Sequence, residues 1–326
     1  MENKEQKKSG LNNDKVKRRG SLKLFYAVCI IVVIFIATVM YRNSEKPSGI
    51  NLGRLDTNVK GATFIKTNQA LIEQASKNWL PNDLFWPTIF LDNIPNFQIG
   101  ELEAIRYNIR VLRDNLSRTR TTDKIDPLAD RAFNALSNDL RKWWMPSAES
   151  KLRLADKLLG DYYKNVLTGK SNFYPRFDNL IQLLEQYASL MGGVNTKLIN
   201  ASRDVRRFMI MSKDIKDIEQ NRKIKNMDVP WSKIDDNFYY AEGVAYVLYE
   251  SFKAIKIDFK DIIKSNNATT LVNNITNELG SCNFEPLVIL NGDTDSIFAN
   301  HCLNLSSIFN DARQKINSLI SILKQG

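Results

Sequence analysis

Histidine occurs once in the 326 residues, at His301, beside Cys302. That pair offers two ligands where a zinc centre takes three or four at fixed spacing. A serine nucleophile working through His301 would need a strained G-x-S-x-G elbow, and the chain has none. Walker A and G-x-G-x-x-G phosphate loops are absent as well. Asn291-Gly292-Asp293-Thr294-Asp295 opens like a calcium loop, but its closing position falls on Cys302 instead of a bidentate glutamate. Asp293 and Asp295 also form a D-x-D, as in lumenal glycosyltransferases, yet those enzymes need an alternating strand–helix pattern that is missing here. No catalytic, metal-ligating or cofactor-binding set emerges, no cofactor is expected, and a local hydrogen-bonding role is expected of His301.

Two other stretches could bind without reacting. In Arg118–Lys124, RTRTTDK, the guanidinium groups of Arg118 and Arg120 could hold an anionic group through charge-assisted hydrogen bonds, a solvated turn being the simpler outcome. Asp126 before Pro127 reads as the cap of the helix that follows. The segment Leu80–Phe97, LPNDLFWPTIFLDNIPNF, is unusually apolar for a loop and carries three prolines. The simpler expectation packs it against the protein. The functional alternative is a membrane-interface or partner surface built from Trp86, Phe90, Asp92, Asn93 and Asn96. Trp143 and Trp144 are expected in the core. Cys282 and Cys302 could pair if their compartment is oxidising, with the turn at Asn291-Gly292 bringing them face to face.

These residues are carried on helices. Leu102, Ile105, Ile109, Leu112 and Leu116 step by three and four, as do Leu152, Ala155, Leu159, Tyr162 and Val166. Phe238 to Ile255 and Phe298 to Leu323 repeat the pattern, and Phe177, Leu180, Ile181, Leu184 and Tyr187 share one face. A period near 3.5 favours the shallow crossings of bundles. Gly192-Gly193 predicts a break or hinge. Leu287–Leu290 is the best strand signal, too short to pair alone. The expected fold is an all-α bundle with, at most, a short extended segment or hairpin near 284–292.

Leu24–Tyr41 is an uncharged run of 18 residues. At ~1.5 Å per residue it covers about 27 Å, close to a bilayer's hydrocarbon core. It is longer than a signal-peptide core, and Ala37-Thr38-Val39-Met40-Tyr41 makes a poor cleavage site. Eight basic and three acidic residues precede it, against Arg42 and Lys46 just after it. The basic flank stays in the cytoplasm. The expected organisation is a basic disordered cytoplasmic tail (1–22), a single-pass signal anchor (23–41), a linker (42–62) and an outer-facing helical domain (63–326). The tail carries half of the net charge of +10, and the rest is dispersed, which excludes a nucleic-acid footprint.

Taken together, several segments resemble a bacterial family of unknown function, the DUF2333 family. They are Trp79–Asp83, Leu91–Gln98, Arg113–Lys151 (including Thr122–Pro127 and Pro146–Ser150), Asp178–Asn195, Asp235–Tyr240 and Phe298–His301. The resemblance implies a bacterial envelope protein with a periplasmic ectodomain at the inner membrane, and brings no activity or ligand. The reading that follows is a non-enzymatic interaction or scaffold protein whose partner is an envelope protein or lipid. The alternatives are a module for lipids or apolar ligands, and an envelope hydrolase using carboxylates. A reporter enzyme that works only in the periplasm, fused after Gly326, should be active, and activity of a cytoplasmic reporter alone would refute the topology.

Overall fold

The computed structural model describes residues 23, 25–52, 59–83, 87–120, 122–142, 144–201, 233–284, 286, 289–290 and 299–325. They form ten α-helices and no strand. The described residues fall into two compact units, one holding the first helix with residues 87–91, the other beginning at Lys46 and holding the remainder.

In the first unit, α1 (Phe25–Ser44) is 20 residues long with a mean hydropathy of 2.3, and none of it is buried. Its length and composition fit a single-pass membrane anchor or a signal sequence.

The second unit is a bundle of α2 (Ala62–Lys77), α3 (Asn93–Val111), α4 (Pro127–Leu136), α5 (Ala148–Leu167), α6 (Phe177–Ala201), α7 (Ile234–Asp258), α8 (Lys260–Ser265), α9 (Thr269–Ser281) and α10 (His301–Gln325). Apart from Phe177, the described residues of the stripes read from the sequence face one continuous core; Phe298 lies outside the described residues. Helix α7 is central and packs against α2, α3, α6, α9 and α10. Its tightest crossing is with α3. A Cβ on Gly100 would lie 2.0 Å from the Tyr240 carbonyl oxygen, and one on Gly243 2.0 Å from that of Phe97. Only glycine at both positions lets the two backbones approach so closely.

Four helices also share a polar centre. Asn108 (α3) donates through Nδ2 to Asn68 Oδ1 (α2) and Ser251 Oγ (α7), each at 2.8 Å, and accepts from Tyr187 OH (α6) at 2.6 Å. Asn68 and Ser251 donate onward to the carbonyls of Phe64 and Val247. Every capacity of the Asn108 amide group that this site demands is met, which is what burial requires.

Caps locate the helix starts. Asp126 Oδ1 accepts from Leu128 N and Ala129 N ahead of Pro127, as its sequence predicts. Helix α2 has no side-chain cap of its own, and Gly61 before it sits at φ +86°. Asp258 at the end of α7 supplies the missing acceptor, taking Phe64 N at 2.6 Å.

Several expectations are corrected. Helix α6 runs unbroken through Gly192-Gly193. Glycine's cost of about 1 kcal/mol is offset by packing on α10, where Arg313 Nε reaches the Ala188 carbonyl. Trp144 is 68% exposed rather than in the core, and Trp143 lies outside the described residues. Phe177 tops its stripe but is exposed, because it sits where α6 begins. Within the linker, residues 46–50 make side-chain and backbone contacts to the bundle. Lys46 pairs with buried Glu242 at 2.9 Å, the Ser48 carbonyl accepts from Gln74 and Tyr246, and Ile50 N donates to Glu250.

Tyr187→Phe leaves the Asn108 oxygen without its donor and should cost about 1–3 kcal/mol, read as a lowered Tm of the detergent-solubilised chain. A second expectation concerns Glu101, 2% exposed, with Oε1 lacking any hydrogen bond. Burial raises its pKa from 4.5 to about 8. Between those values the folded chain holds a proton that the unfolded chain releases, so stability falls as pH rises from about 4.5 toward 8. Glu101→Gln should flatten that slope by an amount on the order of a few kcal/mol, measured by denaturant unfolding across the pH range.

Candidate anion-binding cleft

Where α3 ends, its last turn widens into a π-helical turn, Leu112–Leu116, closed by Ser117 N on the Leu112 carbonyl at 3.0 Å. Such turns insert one extra residue and recur at functional sites. Here the turn directs the following chain across the start of α6. Tyr174 N on the Leu116 carbonyl, at 2.7 Å, ties the two walls together. Between them lies a cleft of about 400 Å³ whose lining includes Arg118, Arg120, Arg176, Asp114, Asp178 and Phe177.

The three arginines differ in what holds them. Arg118 donates from Nε to the Asp114 carbonyl at 2.7 Å and from Nη1 to that of Asp123 at 3.2 Å. Both acceptors are neutral. Arg120 is anchored through its backbone, whose N–H donates to Asp123 Oδ2 at 2.8 Å. Its exposed side chain has no partner among the described residues. Arg176 Nη2 donates to Asp178 Oδ2 at 2.8 Å, while its Nε is buried and unbonded.

Acids stand beside these arginines. Asp114 is engaged from outside the cleft by Arg113, in a bidentate pair at 2.7 and 3.0 Å. That hydrogen bond raises the Arg113 pKa, and the guanidinium also lies 4.0 Å from the centre of the Phe133 ring. Asp178 is matched by Arg176 alone. Arg113 is also shared with Asp130 at 3.7 Å, and the Asp123 carboxylate accepts from Arg120 N, so arginines and acids alternate around the cleft. Planar guanidinium groups suit phosphate or carboxylate oxygens, and Phe177 (58% exposed) adds an apolar wall.

The residues singled out in the sequence separate in space. Arg118 and Arg120 belong to this cleft. Asn93 and Asn96 lie in the first turn of α3, about 28 Å away at ~1.5 Å per residue. There Asn96 Nδ2 donates to Asp236 Oδ1 and the Asp92 carbonyl. Asp235 and Asp236 have raised pKa values, from burial first and then from the neighbouring acids, including Asp92. Phe90 is exposed, and Trp86 lies outside the described residues.

His301 is local, as expected: its Nδ1 accepts from Leu290 N and its own N–H donates to the Leu290 carbonyl, both at 2.8 Å. This fixes the Nε2–H tautomer. Cys282 and Cys302 are buried and no disulfide joins them. The Cys282 thiol turns to the Glu278 carbonyl and that of Cys302 to the Ile234 carbonyl. Burial, with help from Glu242 and Glu278, pushes the Cys282 pKa up to about 12. Asp293 and Asp295 lie outside the described residues, and no group of acids, cysteines and histidine fit for a metal occurs among those described.

Sequence reasoning missed Arg176. The only signal was a basic residue between Pro175 and the first turn of a helix, too common to single out.

The protein is therefore an all-α bundle, preceded by an apolar helix, with an arginine-lined cleft at one end of α3. The chain belongs to the family described as "uncharacterized protein conserved in bacteria (DUF2333)", matched over residues 24–326. No curated protein and no solved structure matches it.

Proposed function

We propose that this is a single-pass inner-membrane protein, N-terminus in the cytoplasm and bundle in the periplasm, that acts without catalysis by docking an anionic group of an envelope partner in the arginine cleft. The observation that carries this reading lies in the cleft itself: among the described residues the Arg120 side chain and Arg176 Nε have no hydrogen-bond partner, and they line it together with the exposed ring of Phe177.

An envelope hydrolase would need an acid poised near neutrality. Glu101 has that pKa, but it sits within the α3–α7 crossing, 2% exposed, where a substrate would first have to pry α3 away from α7. The interaction reading needs no such opening. A lipid is the alternative occupant, since Phe177 and Ile181 border the guanidinium groups.

The test is crosslinking in intact cells with mass spectrometry of co-purified proteins and lipids, comparing wild type with Arg120→Ala and Arg120→Ala/Arg176→Ala. Losing one charge-assisted contact should weaken capture about tenfold or more, at unchanged Tm for the single variant. An unchanged partner set in both variants would refute the cleft as the docking site.

A further inference from the structure

The turn Pro87–Leu91 leaves its apolar side chains open. Its 3₁₀ segment Thr88–Phe90 buries none of its residues, and Ile89 and Phe90 are 50% and 66% exposed. The sequence had made packing the simpler expectation for this loop. Its entry does pack: Trp79 and Leu80 are buried, Trp79 Nε1 donates to the Leu140 carbonyl, and Asn82 reaches Glu149. The tip does not follow.

Two features say what covers it. Residues 87–91 fall into the same compact unit as α1, whose apolar side chains are likewise unburied. The turn also carries no charge from Pro87 to Leu91, and Phe90 N and Leu91 N bond to the carbonyls of Pro87 and Thr88 within it. A turn that satisfies two of its N–H groups internally, and presents an aliphatic and an aromatic side chain, gains by burying apolar area. We infer that Pro87–Leu91 is a second membrane contact, seating Ile89 and Phe90 at the boundary between headgroups and acyl chains of the bilayer that α1 spans. Asp92, the first charged residue beyond the turn, marks where the chain returns to water.

The inference rests on α1 being an anchor, so the experiment reads both. The full chain is reconstituted in vesicles of phosphatidylethanolamine and phosphatidylglycerol. A photoreactive diazirine amino acid is placed, one site at a time, at Ile34 in α1, at Phe90, or at Ser318 on the exposed face of α10. Lipid adducts are counted by mass spectrometry. Adducts at 34 and at comparable yield at 90, with background yield at 318, are the expected result. Adducts at 34 with only background at 90 would overturn the second contact and leave the anchor intact. Crosslinks from 90 into this chain's own peptides would overturn it equally, by showing the tip packed. Background yield at 34 would refute the anchor and the inference with it.

Discussion

The bundle is held in register by a single buried amide. Asn108 has two donors and takes one strong acceptor contact, and these go to α2, α7 and α6 while Asn108 itself belongs to α3. Apolar contacts between helices are tolerant of sliding, because one leucine fills a groove nearly as well as another. A buried amide is not tolerant: a slip of one residue leaves its N–H or C=O groups unsatisfied, at about 1–3 kcal/mol for each. The network therefore selects one arrangement among many that the hydrophobic stripes alone would allow. The Gly100–Gly243 crossing acts in the same direction, since only that pair of positions lets α3 and α7 approach at their backbones.

Helix α7 concentrates the consequences of being central. It buries Glu242, Glu250 and Ser251 along with its apolar residues. Burying a carboxylate is unfavourable without a partner, and partners come from the segment just before α2: Lys46 for Glu242, the Ile50 N–H for Glu250, with Lys253 added from α7 itself. The polar stretch before α2 thus completes the surface of the central helix instead of hanging free. Glu101 on α3 has no such partner, and protonation takes the place of pairing.

What the sequence disclosed follows the range of the physics involved. Stripes such as Leu102, Ile105 and Ile109 are local, repeat with the helix period and lie where that period puts them. The Asp126-Pro127 cap is equally local. Lys46 and Glu242 are 196 residues apart, and no spacing rule could have matched them. Gly192-Gly193 misled because propensity weighs a residue alone, whereas α6 is kept straight by α10. Trp144 and Phe90 misled for a related reason: size and apolarity argue for burial, but both sit in short turns and stay exposed. The cleft was half legible. Arg118 and Arg120 stood out as a charged cluster, whereas Arg176, which closes the opposite wall, comes near them only because Tyr174 is bonded to Leu116.

The two ends of α3 bear on function in opposite ways. At its start, burial and then the neighbouring Asp92 raise the pKa of Asp235, burial with Asp235 and Asp92 raises that of Asp236, and Asn96 bridges Asp236 to the Asp92 carbonyl, so these groups engage one another within the fold. At its end the π turn is followed by Arg118 and Arg120, and the Asp114 carboxylate is engaged by Arg113. An internal ion pair at Asp114 therefore costs the fold nothing in the cleft and leaves guanidinium groups beside bare aromatic surface. Phe177 and Arg120 stay exposed beside a wall fixed by the backbone hydrogen bond from Tyr174 to Leu116, and it is this surface that the proposed docking would cover.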